Sequence, residues 1–494
     1  MKKLSSELLA KTVLESRKAK KITQSDLSEN TGINRSLLSR LETQDFTPSI
    51  EQLLALSDIL DFDIASLVID DDADADAVVK DYQDIPRMKI TIAGAGSAGL
   101  SLAILFAQNH DVTVITTSEA EADKLNDFYS PIRDKEIERF FEEARIGERE
   151  LSLHATTDKA LAYNDTDLVI IATPTDCDEE GRAFDTSTVD NAIELALAVA
   201  RDVKIVISSA VPVGYTDRAR EKHGTDNIFF CPVFIRESMA LYDDLHPSRI
   251  VVGANDDQKE VAQKFADLML EGIRAEERRA EQKPQDIPIL FVRPAEAETI
   301  KLFYNTYLAV RASFFNDLDT YAQIKGFDTQ KIISGICMDP RIGLYDNNPS
   351  FGFSDYCLPG EEEQPPADFK DVPQNMIGAV VKSNSARVEF IADQIVAKSP
   401  AVVGVYRLTT KGNPNVLRGS AVKGVIKRIK ENGIPVILYE PKLETHSELF
   451  ECKVINDLEW FKAQSDVILA DRFDRDDLGD VEAKVYTRDL FREN

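Results

Sequence analysis

With one tryptophan, five histidines and five cysteines in 494 residues, the chain is poor in the groups that build metal centres and disulfide frameworks. Cys177, Cys231, Cys337, Cys357 and Cys452 form no C-x-x-C pair, and His110, His154, His223, His246 and His446 are just as dispersed. Neither a disulfide scaffold nor a zinc or other metal site is expected from such spacing. Long apolar runs are missing too: none reaches the roughly 20 residues of a membrane span. Met1-Lys2-Lys3-Leu4 leads into polar residues rather than a signal-peptide core. The expectation is a cytoplasmic protein with no membrane partner. Basic residues are outnumbered, 58 Lys and Arg against 86 Asp and Glu for a net charge of −28. That balance excludes a protein that coats nucleic acid with its whole surface.

What is present is segregated. Residues 1–45 carry nine Lys/Arg against six Asp/Glu, and the remainder carries 49 against 80. The run Asp70-Asp71-Asp72-Ala73-Asp74-Ala75-Asp76 repels itself and offers little to bury, so it reads as a linker. From Met88 the texture becomes α/β. Apolar strands at 88–93, 112–115, 167–172 and 203–208 alternate with amphipathic segments of helix length, a rhythm that implies a parallel sheet. Between 295 and 325, Ile300, Phe303, Tyr307, Val310, Phe314, Leu318 and Tyr321 recur at three- and four-residue steps. They predict one long helix ending at Gly326. Beyond Pro400 a second, smaller α/β unit follows. The expected division is a helical lobe at 1–69, an acidic linker at 70–87, a dinucleotide-binding domain at 88–290, a central helical domain at 291–398 and a C-terminal α/β domain at 399–494. The fold class is therefore two Rossmann-like parallel-sheet domains joined by a long helix, preceded by a small all-α domain.

In the first lobe, Leu27, Ile33, Leu38 and Leu41 have the spacing of a helix-turn-helix core. Gly32 falls in the turn, where positive φ is wanted. This segment resembles the lambda-repressor or Cro-like helix-turn-helix family over roughly residues 10–68. The resemblance implies double-stranded DNA as partner, with Asn34, Arg35, Ser36, Ser39 and Arg40 toward the major groove and Gln24 near a phosphate. A single such domain binds weakly, so an oligomer presenting two is expected.

The run Gly94-Ala95-Gly96-Ser97-Ala98-Gly99 follows a strand and opens a helix, the context a dinucleotide pyrophosphate requires. The next strand should end in an acid that grips the ribose. It ends instead in Thr116, with Glu119 nearby and no arginine to select a 2′-phosphate. NAD is the expected cofactor, held less firmly than usual.

Further segments occur in a telling order: Ser130-Pro131-Ile132-Arg133-Asp134, Thr173-Pro174-Thr175, Val211-Pro212-Val213-Gly214, Phe234-Ile235-Arg236-Glu237-Ser238, Lys301 to Ala309, Asp339-Pro340-Arg341, Asn347-Asn348-Pro349-Ser350, Tyr356-Cys357-Leu358-Pro359 and Tyr486-Thr487-Arg488-Asp489. Together they resemble the UDP-glucose 6-dehydrogenase family over residues 88–494, particularly bacterial forms that supply capsular polysaccharide precursors. The resemblance implies oxidation of a primary alcohol to a carboxylate with two NAD, holding the aldehyde on a cysteine as thiohemiacetal and then thioester. Cys357 occupies that place. Lys301 and Asn305 would face the oxyanion and Glu361 would activate water. Thr173 and Glu237 would flank the cofactor. Asn347, Asn348, Pro349, Ser350 and Ser354 would form the substrate loop, with Arg236 and Arg341 as diphosphate or cross-subunit contacts. The C-terminal domain would take the uridine end, and a homodimer through the long helix is implied.

The chain departs from the pattern at places that matter chemically. Ser209-Ala210 replaces Ser-Thr, Pro232-Val233-Phe234 replaces Pro-Glu-Phe, Ser354-Asp355 replaces two glycines, Asp346 replaces a tyrosine and Gly360-Glu361 replaces Lys-Asp. Losing one acid/base or electrostatic group typically costs about a hundredfold to a thousandfold. Two readings follow: an enzyme whose DNA-binding lobe regulates its own pathway, or a DNA-binding regulator whose impaired dehydrogenase body senses a nucleotide sugar or NAD.

Overall fold

The computed structural model describes all residues except 1, 5, 43–45, 47, 63, 71–81, 83–84, 176–184, 354–374, 409–420, 442, 444–446 and 493–494. The chain forms two units, Met1–Asp81 and Tyr82–Asn494.

The first unit holds helices α1 (Ser6–Ala19), α2 (Gln24–Thr31), α3 (Arg35–Glu42) and α4 (Ile50–Leu60). Capping boxes start α2, from Thr23 with Asp26, and α4, from Ser49 with Gln52. Gly32 ends α2 at φ 69°, a left-handed conformation that glycine adopts without Cβ strain. Leu9, Val13, Leu27, Ile33, Leu38, Leu41, Leu56 and Leu60 close the core between the helices. A ribbon of β1 (Lys2–Leu4) antiparallel to β2 (Val68–Asp70) adds a feature the helical periodicity does not announce.

The second unit contains two sheets. The larger comprises β3 (Lys89–Ala93), β4 (Asp111–Ile115), β5 (Leu153–Thr156), β6 (Leu168–Ile171), β7 (Lys204–Ile207), β8 (Ile228–Phe230), β9 (Ile250–Gly253) and β10 (Ile289–Val292). Its order is β10-β9-β8-β7-β6-β3-β4-β5, parallel except for the step from β8 to β9. The chain therefore changes direction of winding between β3 and β6, where an open α/β sheet leaves its ligand crevice. The helices of this lobe are α5 (Ser97–Ala107), α6 (Glu119–Asn126), α7 (Lys135–Arg145), α8 (Lys159–Tyr163), α9 (Ser187–Val199), α10 (Tyr215–His223), α11 (Ala240–Leu245) and α12 (Lys259–Arg279). Nine successive residues of α5, Gly99 to Ala107, are buried, as a helix wedged between sheet and outer helices must be. Tyr82 and Ile85, inside the expected linker, pack against this core.

The long helix α13 (Pro294–Lys325) leaves β10 and stops at Gly326, φ 70°. After α14 (Thr329–Cys337) and α15 (Met376–Val396), the smaller sheet runs β13-β14-β12-β11-β15-β16. Its strands are β11 (Val403–Tyr406), β12 (Val436–Tyr439), β13 (Glu448–Leu449), β14 (Cys452–Val454), β15 (Val467–Leu469) and β16 (Val485–Tyr486). All neighbours are parallel except the β13–β14 hairpin at one edge. Among the described residues, no helix is long and apolar enough to cross a membrane.

Near its far end α13 is tied down electrostatically. Asp319 accepts from Arg387 of α15 at 2.7 Å and from Arg488 Nε of the C-terminal segment at 2.8 Å, and both Asp319 and Arg387 side chains are fully buried. The two arginines hold the Asp319 carboxyl below its ordinary value against the opposing effect of burial. Removing one partner strands a buried charge. Asp319→Ala is therefore expected to lose about 3–5 kcal/mol in urea unfolding at neutral pH. Because the native value is depressed, the difference shrinks as pH falls through the carboxylate range. A loss below 1 kcal/mol at neutral pH would show that the network is not under tension.

Candidate functional site

The ends of β3, β6, β7 and β8 deliver their following turns to one edge of the sheet. After β3, Gly94 (φ 116°) runs so close to the next turn that an added Cβ would lie 2.5 Å from the Ala172 carbonyl oxygen. At Gly99 a Cβ would lie 2.0 Å from the Gly94 carbonyl oxygen, so helix and turn touch through backbone alone. Gly96 differs: a Cβ there meets nothing within 4 Å, and as the N-terminal cap of α5 it offers no side chain to the first helical N–H groups. An open cradle facing unsatisfied helix N–H donors suits a pyrophosphate. Thr116, after β4, is buried and donates its hydroxyl to the Ser118 carbonyl at 3.1 Å, so it has a lone pair rather than a proton to offer a ribose. Glu119 is exposed and accepts from Thr157. Across the crevice, Ser209 donates to the Thr173 carbonyl at 2.7 Å, and the Thr173 hydroxyl lies 3.1 Å from that of Thr188.

After β8 the chain passes Cys231-Pro232-Val233 beside a cavity of about 180 Å³, which Asp243, Asp244, His246 and Arg249 also line. Lys301, near the start of α13, donates to the Val233 carbonyl at 2.8 Å. Its ammonium lies 5.4 Å from the Phe234 ring centre and 5.6 Å from that of Tyr304, while Arg249 stacks 3.8 Å over Phe234. Burial lowers the Lys301 ammonium to about 8, assisted by the neighbouring Arg249 charge. Asp244, buried on α11, accepts from Ser101 of α5 at 2.6 Å, and burial pushes its carboxyl up to about 7.

The substrate-loop residues are held from within. Asn347 is buried with its amide on the Cys337 sulfur at 3.4 Å. Asn348 bridges Asp489 (2.7 Å) and the Leu490 N–H (2.9 Å). The Pro349 carbonyl accepts from Arg472, and the Ser350 N–H donates to Asn316. In the helix-turn-helix unit, Arg35, Ser36, Ser39 and Arg40 are exposed along α3. Asn34, also exposed, accepts from the Ser36 N–H at 2.9 Å and so starts that helix. Gln24 donates to Glu42, which Arg17 also holds.

Comparison with known proteins gives this geometry a family. Residues 88–269 match the NAD-binding domain and residues 295–386 the central domain of the UDP-glucose/GDP-mannose dehydrogenase family, and residues 13–67 match a helix-turn-helix. A UDP-glucose 6-dehydrogenase of Streptococcus pneumoniae is 47% identical over 82% of this chain and 99% of its own length. The chain belongs to the UDP-glucose/GDP-mannose dehydrogenase family. A second relative, the UDP-glucose 6-dehydrogenase of Campylobacter jejuni, is 40% identical over 82% of this chain and 99% of its own length. In fold, the chain is similar to a UDP-glucose dehydrogenase of Pyrobaculum islandicum, with TM-score 0.67, 22% identity, and coverage of 82% of this chain and 95% of that one. This is a dehydrogenase-family body joined to a helix-turn-helix domain.

Within that family frame the structure gathers Gly94, Gly96, Gly99, Thr116 and Thr173 at one crevice. Lys301 reaches the turn after β8, and Asn305 stands one helical turn further along α13. Arg236 forms an ion pair with Asp243, and Arg341 with Asp339, the latter pair on the surface. Cys357, Glu361 and Ser354 lie outside the described residues, as does the side chain of Glu237. Two groups escaped the sequence reading. Asp244 shares a helical face with Leu241 and Leu245, a spacing that marks it as inward-facing. Glu298 shares one with Pro294 and Ala297.

The glycine geometry makes a differential prediction. Gly99→Ala forces the turn against its own backbone and is expected to cost about 1–3 kcal/mol in thermal unfolding. Gly96→Ala, with open space, should stay within about 0.5 kcal/mol of the parent. Equal losses for the two would contradict this packing.

Proposed function

We propose that the body oxidises the C6 hydroxymethyl group of UDP-glucose, or of a related nucleotide sugar, to a carboxylate: RCH2OH + 2 NAD+ + H2O → RCOO− + 2 NADH + 3 H+. The observation that carries this reading is the convergence at one sheet edge of the Gly94–Gly99 cradle and the part-buried Lys301. NAD, when bound, supplies the hydride acceptor. Gly96 and the α5 N-terminus would take its pyrophosphate, and Thr116 stands where its ribose would lie, with one weak contact in place of a carboxylate's two.

Lys301 remains mostly protonated at pH 7 and presents its charge from a partly buried position, where an alkoxide or thiohemiacetal oxyanion can draw on it. Asn305 adds a neutral donor from the same helix face. Cys357 is the nucleophile that holds the aldehyde between the two oxidations, and Glu361 orients the water that releases the acid. Arg341 reaches from the surface toward a partner's diphosphate. The α13 residues Phe303, Tyr307, Phe314 and Tyr321, all at least half exposed, give the homodimer a contact stripe. The helix-turn-helix binds double-stranded DNA through α3, with Arg35 and Arg40 meeting the duplex, so that the enzyme acts on expression of its own pathway.

Purified protein given UDP-glucose and NAD is expected to form NADH, and Cys357→Ser to abolish it. No NADH above that control defeats the oxidation reading. Lys301→Ala should lose about a hundredfold to a thousandfold in kcat, and parent activity should fall as pH rises through about 8. For the DNA lobe, Arg35→Ala should weaken binding to DNA upstream of the chain's own gene by about 1–3 kcal/mol and relax its preference over unrelated duplex. An unchanged affinity and preference count against groove contact by α3.

A further inference from the structure

The cavity behind Val233 has the buried Asp244 on its wall and the part-buried Lys301 bonded to the turn that lines it. Asp244 lines it, and Lys301 donates to the carbonyl of another lining residue. Among the described residues, the Asp244 carboxylate has one hydrogen bond, from Ser101, and Lys301 forms no ion pair. Four elements meet here: α5 brings Ser101, α11 brings Asp244, the turn after β8 brings Cys231 and Val233, and α13 brings Lys301. The other charges facing Asp244 are Asp243 beside it and Asp134, whose carboxylate caps α7 and accepts from the Leu241 N–H. Arg249 faces Lys301 across Phe234. His246 is turned toward Gln285, and Glu271 of α12 is paired with His110. The Cys231 thiol is buried and held neutral, with the Asp244 charge adding to the cost of ionising it.

We propose that Asp244 is a positioning residue for the oxidation read above, its carboxylate supporting the charge of Lys301 where both meet the turn after β8, in place of the acid that Val233 does not supply. The electrostatics are reciprocal: Lys301 favours the charged form of Asp244, and Asp244 favours the charged form of Lys301. Burial brings the two to about 7 and about 8, so both change protonation close to neutrality. With Asp244 ionised, the cation awaiting the oxyanion is retained. With Asp244 neutral, Lys301 loses its counter-charge while Arg249 goes on repelling it.

The test reads Lys301 directly. The full chain, without cofactor or sugar, is pulsed with acetic anhydride across a pH series, and acetylation of the Lys301 peptide is followed by mass spectrometry; only the neutral amine reacts. Asp244→Asn is expected to move the Lys301 midpoint down by about half a unit, which makes the amine about threefold more reactive at pH 7. A folded Asp244→Asn with an unmoved midpoint overturns the proposal. Should that variant fail to fold, Ser101→Ala decides, because it removes the donor that favours the Asp244 carboxylate. A downward midpoint supports the proposal and an unmoved one overturns it. Since labelling needs no turnover, a chain that makes no NADH still reports on this pair. Where turnover is measured, the alkaline limb of kcat should move to lower pH in Asp244→Asn while KM for the sugar holds.

Discussion

Helix α13 is fixed by a buried carboxylate near each end, and the dehydrogenase body depends on that pair. Glu298 accepts the Gly214 and Thr216 N–H groups and the Thr216 hydroxyl at 2.6 Å, so an acid of the long helix caps the start of α10. Twenty-one residues later Asp319 holds Arg387 and Arg488 of the C-terminal region. At 1.5 Å per residue the two anchors are about 32 Å apart. Lys301 follows Glu298 by one helical turn, so the cation's placement is inherited from the cap. Burial raises Glu298's proton affinity, while its three donors and the positive end of α10 oppose that rise.

The elements that sequence rhythm exposes are those whose physics is local. The glycine turn, the long helix with its Gly326 stop, and the capped helices of the first lobe each satisfy a short-range rule. The β8–β9 reversal and the β13–β14 edge hairpin do not, because strand direction is settled by partners far along the chain. The same contrast divides the site. Lys301 was legible through its surroundings in sequence, whereas Asp244 sits in Tyr242-Asp243-Asp244-Leu245, which looks like an exposed acidic turn until its neighbours are placed. Asn34, Gln24 and Asn348 are expected at ligands from the sequence, and the structure gives each a partner within the chain. A short polar side chain that can reach a ligand can equally reach the backbone or an acid beside it, and here each has done so.

Replacing the Pro-Glu-Phe acid by Val233 also has a reading in terms of charge. A carboxylate beside Lys301 would pair with it and raise its proton affinity. A backbone carbonyl offers only a dipole, so burial dominates and the ammonium falls to about 8. An oxyanion site works best when its cation is not already neutralised by a fixed partner. The exchange thus removes a proton acceptor while leaving the lysine's charge more available to substrate, with Arg249 and Asp244 acting on its ionisation after burial.

Joining a helix-turn-helix lobe to a body with 70 acidic against 48 basic residues beyond position 81 sets a constraint of its own on the proposed DNA binding. Duplex DNA repels that body, and at physiological salt the repulsion decays over a Debye length of about 8 Å. The lobe's own attraction to phosphates is just as short-ranged. Binding would be favourable only where the exposed Arg35 and Arg40 of α3 approach the duplex more closely than the acidic surface does. On the proposed reading, specificity would rest on the few α3 residues placed to reach base edges, since an acidic body adds no non-specific affinity. Salt would weaken the attraction and the repulsion together. The net salt dependence of the whole chain should therefore be shallower than the count of basic residues in its first lobe implies.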